Sequence, residues 1–233
     1  MFLLDSQDFS IPMALVDLIP VILFLISGII LLNDLYNKLV KGNYALLATG
    51  VSMIFLAGVL KAIHKILAGA GICDYVALNK SFFPMQSIGF VLLGIALVGL
   101  LYSNKKTNNT NTMSFVPFGF LLLTPLAEYN SSMPVVIIQI IGTTVFFAML
   151  FYIALKMKCI PSLILIIIGY ITLLAMGYLS SKFQDGELAK WNWIAEVINI
   201  VSQASLLGAM VILHKKDLVK FELRRGKSLW KFY

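Results

Sequence analysis

The chain has 233 residues, 60% of them hydrophobic and 12% charged, with a formal net charge of +7 and a mean hydropathy of +0.92. Soluble domains carry about twice that charged fraction, so a soluble enzyme or binding module is excluded. The composition points instead to an all-α integral membrane protein.

The opening stretch MFLLDSQDFSIPM has no Lys or Arg. It lacks the basic region of a cleaved signal peptide, so the first span is expected to be retained. A crossing helix needs about 20 mostly apolar residues. Seven stretches qualify: 15–36, 44–67, 82–103, 114–128, 133–156, 160–181 and 191–213. The fourth is short and holds Pro117 and Pro125, a kinked crossing whose freed carbonyls neighbouring helices can satisfy. Seven spans put Lys38, Lys41, Lys105, Lys106, Lys156, Lys158, Lys215, Lys216 and the tail 214–233 on one side. Asp74, Glu128, Asp185 and Glu187 fall on the other. Lys and Arg collect in short cytoplasmic loops, which sets the N-terminus outside and the C-terminus inside.

This asymmetry accounts for the net charge. No basic groove interleaved with aromatics is present, so the expected partner is the lipid bilayer and not nucleic acid. The basic tail suits an anionic inner leaflet, or is an ordinary positive-inside tail. Arg occurs only at 224 and 225 among the 18 basic residues, a bias that points to an AT-rich genome and a bacterial plasma membrane.

The chain reads as a single transmembrane domain over 1–233. The polar stretch SNKKTNNTNT after the third span is a linker by composition. The second and sixth spans share a glycine spacing, Gly50 to Gly58 and Gly169 to Gly177. The third and seventh end alike, in LLGIALVGLLYSNKK and LLGAMVILHKK. Together these suggest a 3+1+3 arrangement of parallel repeats. Such an architecture resembles that of sugar-type PQ-loop transporters and microbial rhodopsins, in layout alone. Pro84-Met85-Gln86 stands where a Pro-Gln dipeptide would be required. Ser202, Gln203 and Ala204 occupy the depth of the rhodopsin retinal lysine, which excludes a Schiff base of that kind.

The last span is the most informative. Asn192, Glu196, Asn199 and Gln203 follow i, i+4, i+7, i+11 and share one helical face. A charge at mid-membrane costs about 2.5–3.5 kcal/mol, so this face should look into the bundle. Polar groups at the same depth elsewhere are Asp17, Lys61, His64, Lys65, Asp74, Tyr75, Gln86, Ser87, Gln139, Thr143, Tyr178 and Ser181. The inner halves of the spans are nearly bare of them. A vestibule open to the outside and closed to the cytoplasm is therefore expected. Glu196 would anchor charge and Asn199 and Gln203 would form the floor. Lys61 and His64 would form the opposite wall, with Asp17, Gln86 and Gln139 completing the site. The plainer readings are that Lys61 and Lys65 snorkel, that His64 is interfacial, that Asp17 ends a span, and that Asn199 and Gln203 only join helices.

Catalytic readings have less support. There are two histidines, and no GxSxG, HExxH, P-loop or dinucleotide fingerprint. His64, Asp74 and Glu196 match zinc in ligand type but not in motif spacing, and no cofactor is expected. Cys73 and Cys159 fall on opposite sides and are too far apart to pair. The expected function is binding of a small polar solute or ion, with transport ahead of sensing. The alternatives are a membrane-embedded lipid-modifying enzyme, or a structural or assembly subunit of a membrane complex.

Overall fold

The computed structural model describes residues 11–73, 75–102, 133–180 and 188–220. Every regular element among them is helical: α1 Ile11–Leu35, α2 Lys41–Gly69, α3 Val76–Tyr102, α4 Met133–Lys156, α5 Ile160–Ser180, α6 Leu188–Lys215, and a 3-10 turn at Leu218–Lys220. Five of the helices contain stretches long and apolar enough to cross a membrane, and Ile160–Met176 adds a shorter apolar one. Six of the seven expected spans coincide with these helices. The fourth, 114–128, lies outside the described residues, so seven helices are not seen.

Local chemistry sets the helix ends. Pro134 and Pro161 sit in the first turns of α4 and α5, where a missing N–H leaves no bond unmade. At the end of α2, Gly71 takes φ +68°. Its N–H donates to the Ala68 carbonyl and that of Ile72 to Leu67, which closes the orphan carbonyls in a Schellman turn. The α4 end repeats this geometry with Lys158 at φ 52° and the Cys159 N–H on the Ala154 carbonyl.

The helices form a closed ring in which each packs on the next and α6 returns to α1. Gly28 faces Val51 and Gly58 faces Val21, so α1 and α2 are antiparallel. Gly50 meets Gly89 and Leu93, and Gly99 meets Asn43, so α2 and α3 are antiparallel as well. Gly94 and Gly142 place α3 and α4 in parallel, as Ser87 near Val135 also requires. Tyr102 and Met133 are therefore at opposite ends of the bundle. The second triplet, α4–α5–α6, repeats the directions of the first. Gly50 and Gly169 each face a backbone carbonyl of the third helix in their own triplet, Gly89 and Ser202. The α1–α6 seam, like α3–α4, is parallel.

Inward columns spaced by seven residues build the interior. Asp17, Phe24 and Leu31 on α1 are buried, as are Val51, Gly58 and Lys65 on α2 and Glu196, Gln203 and Met210 on α6. A seven-residue repeat keeps one stripe facing its neighbours along a helix pair. Away from the end that holds Asp17, Lys65 and Glu196 these columns are apolar except at Gln203. Across them runs an aromatic chain: Phe24 to Phe90 with ring centroids 6.5 Å apart, Phe90 to Phe146 at 5.9 Å, Phe146 to Phe147 at 5.3 Å and Phe147 to Tyr170 at 5.5 Å.

Close helix approach depends on Gly142, where an added Cβ would stand 2.6 Å from the Val91 backbone nitrogen. Backbone has nowhere to go, so Gly142→Ala is expected to cost about 1–3 kcal/mol by overpacking. It should appear as a lowered thermal midpoint of the purified protein. Gly208→Ala, whose Cβ would meet only the Leu165 side chain at 3.1 Å, should cost less.

Candidate functional site

α1 starts, α2 ends, and α3, α4 and α6 start at one end of the ring. Here the inward columns turn polar. Asp17 lies about two turns into α1, Lys65 one turn from the end of α2 and Glu196 two turns into α6. The Lys65 ammonium donates to Glu196 Oε1 at 2.5 Å and ion-pairs with Asp17 Oδ2 at 2.8 Å. Side-chain exposure is 5% for Lys65 and Asp17 and 3% for Glu196. A single cation thus holds two carboxylates from two other helices, all three out of solvent. Two charged acids sharing a low-dielectric site repel each other, and the ammonium between them offsets this. The Asp17 and Glu196 carboxyl groups also lie within hydrogen-bonding reach of each other.

A second polar group bridges the α3–α4 seam at the same end. Gln139 donates to Gln86 Oε1 at 3.1 Å. The Ser87 hydroxyl approaches the Phe83 carbonyl at 2.7 Å and the Val135 carbonyl at 3.1 Å. Between the two seams, Gln203 and Thr143 are buried, with Gln203 Oε1 and Thr143 Oγ1 unpartnered among the described residues. Each is one turn before a residue of the apolar middle, Leu206 and Phe146. The void at that middle level is lined by Phe24, Leu31, Val51, Leu93, Phe146 and Met210 among others, and holds about 10 Å³. That is about the room one water needs, and its lining offers too little polarity to keep one.

Several expectations are corrected by this geometry. The cation in contact with Glu196 is Lys65, while Lys61, one of the two expected partners, acts on Glu196 through its charge from farther away. Lys61 lies over the Phe82 ring, 4.6 Å from its centroid, and His64 is buried beside Lys65. Lys65 does not snorkel, because its position continues the buried Val51–Gly58 column. Lys61 is turned about 40° from Lys65 and about 60° from Gly58 around the helix, since 3.6 residues make a turn. Asp17 does not simply end a span. It lies inside α1 and is buried. Gln86 and Gln139 pair with each other, apart from the triad. Asn199 is half-buried. Asp74, Ser181 and the tail beyond 220 lie outside the described residues. No three His, Cys, Asp or Glu side chains among the described residues converge as metal ligands. Cys73 is exposed and Cys159 buried, both as free thiols, at opposite ends of the bundle.

One pair escaped the sequence reading. At the other end of the α1–α6 seam, Asp34 Oδ1 lies 2.8 Å from His214 Nδ1. The available signal was a lone acid at the end of a span otherwise flanked by lysines. Compared with known proteins, the chain matches no family model, no curated protein and no solved structure.

Proposed function

We propose that the protein is a seven-span membrane transporter that binds a small polar solute or ion between α1, α2 and α6, with its triad end outside and its basic end in the cytoplasm. The observation carrying this reading is the buried Asp17–Lys65–Glu196 triad joining three helices. Buried ion pairs add little stability, since desolvation offsets their attraction. Ionisable groups inside membrane spans mark solute and proton paths. The spare Gln203 Oε1 is an acceptor and the triad carries two acids to one contacting cation, which favours a solute that donates hydrogen bonds or carries positive charge. The apolar middle below them is the barrier. On this reading the triad closes one end of the solute path.

Topology supports the span count. Because α3 ends and α4 begins at opposite ends of the bundle, the chain between them joins those ends, as a further crossing requires. The end carrying Lys38, Lys41, Lys156, Lys158, Lys215, Lys216 and Lys220 suits the cytoplasm.

Purified protein in liposomes, offered a panel of amines, amides, zwitterions and monovalent cations, should take up at least one class. Glu196→Gln should lower that uptake at least about tenfold, as losing a charge-assisted hydrogen bond of about 1.5–3 kcal/mol implies. Absence of uptake across the panel, or full uptake by the Glu196→Gln variant, would sink the proposal.

A further inference from the structure

We propose that Asp34 and His214 form a proton-binding site at the basic end of the α1–α6 seam, and that the bound proton holds this end of the seam shut. Its purpose, coupling or control of transport, rests on the function proposed above. Its existence does not.

The two partners differ in access. The Asp34 side chain is 1% exposed and that of His214 is 54% exposed. Asp34 is the one buried acid at this end among the described residues, and its Oδ2 has no hydrogen-bond partner among them. A buried carboxylate without a counter-charge is costly. His214 supplies that charge only while protonated. As imidazolium it donates from Nδ1 to Asp34 Oδ1 and balances the carboxylate. When its other ring nitrogen releases a proton to water, the neutral ring keeps one hydrogen bond but loses the charge. Imidazoles exchange this proton between about pH 5 and 8. The exposed ring is thus the route for the proton, and the buried acid is what registers its loss.

Position gives the pair leverage. Asp34 is at the end of α1 and His214 at the end of α6. Asp17 and Glu196 pin the same two helices, through Lys65, about 25 Å away at 1.5 Å per residue. Between the two ion pairs Phe24, Leu31, Leu206 and Met210 are buried, along with the uncharged polar side chains of Ser27 and Gln203. The 3-10 turn at Leu218–Lys220 packs on both α1 and α6, and Leu218 is 1% exposed. Other charges at this end among the described residues are Lys38 in the turn before α2, Lys41 at the start of α2, Lys156 at the end of α4, Lys158 before α5, Lys215 at the end of α6, and Lys216, Asp217 and Lys220 after it. Of these, the Lys216 ammonium reaches the Lys158 carbonyl at 3.3 Å, and Lys220 pairs with Asp217 at 3.1 Å.

The sign follows from the chemistry. The pair is favoured while His214 is protonated, and its hold on the seam is lost as pH rises through the imidazole range. Spin labels at Asn37→Cys and Lys215→Cys, in the full chain with Cys73→Ser and Cys159→Ser, report this end of the seam by dipolar EPR in lipid vesicles. A single step is expected as the ring loses its proton, with the labels farther apart at high pH. His214→Gln and Asp34→Asn should each abolish it. A distance that ignores pH in the parent chain, or an unchanged step in His214→Gln, would overturn the site. A ring-nitrogen NMR titration of His214 gives a second reading that needs no folded variant at that position. A His214 titration that Asp34→Asn leaves unmoved would equally overturn it. If the step persists while liposome uptake fails, the transport proposal falls and the proton site stands.

Discussion

Lys65→Met is expected to destabilise the protein by about 3–5 kcal/mol, the loss seen when one partner of a buried ion pair is removed. The residue count of the change is small, but its electrostatic consequence is not. Asp17 and Glu196 both contact this one ammonium, and without it two carboxylates are left buried on facing helices with only the more distant charge of Lys61 acting on them. A lysine that merely snorkelled to the interface would give a change within about 0.5 kcal/mol. The measurement is the unfolding midpoint in detergent, compared with Lys216→Met, where the ammonium sits in an exposed contact. Neutralising the acids as well, in Asp17→Asn/Lys65→Met/Glu196→Gln, should recover most of the loss, because no unpaired charge then remains. A triple variant as unstable as the single one would show that the lysine stem, and not its charge, holds the helices.

The second large effect is expected at Phe146. Its side chain is 2% exposed, touches Phe90 and Phe147 and lines the central void. Phe146→Ala should cost about 3–5 kcal/mol, the transfer loss plus the cavity left behind. The enlarged cavity would join a void already present in the barrier layer. If that layer separates the triad from the basic end, the variant should also leak small cations from liposomes. Stability lost without leak would assign Phe146 to packing alone. Phe83→Ala is the control, because Phe83 is 46% exposed and should affect neither quantity strongly.

The candidate site was half legible beforehand. Glu196 and Gln203 were readable because a carboxylate and an amide at helical spacing cannot face lipid. Asp17 was readable as a polar group at the right depth, yet not as a partner of Glu196. Lys61, His64 and Lys65 share a helix side, and spacing alone does not say which of three cations points furthest inward. The buried column Val51–Gly58–Lys65 does, and it is defined by what α1 and α3 press against. Counting polar groups per depth places the site at one end of the bundle. That count cannot register that one lysine contacts two of the acids and draws three helices together. The Asp34–His214 pair was invisible for a similar reason. Its members are far apart in the chain, and each alone looks like an ordinary end-of-span residue.

Hydropathy, helical periodicity and the lysine bias are local or additive properties, so the chain itself carries the all-helical class, the positions of the described helices to within a few residues, and the polar-to-apolar gradient along them. Partner choice is neither local nor additive. That α3 and α4 run parallel, that α6 closes the ring on α1, and that Lys65 bridges Asp17 and Glu196 all depend on which faces meet at about 10 Å or less between helix axes. Small residues such as Gly142 permit that approach, and only the folded bundle shows which neighbour uses it.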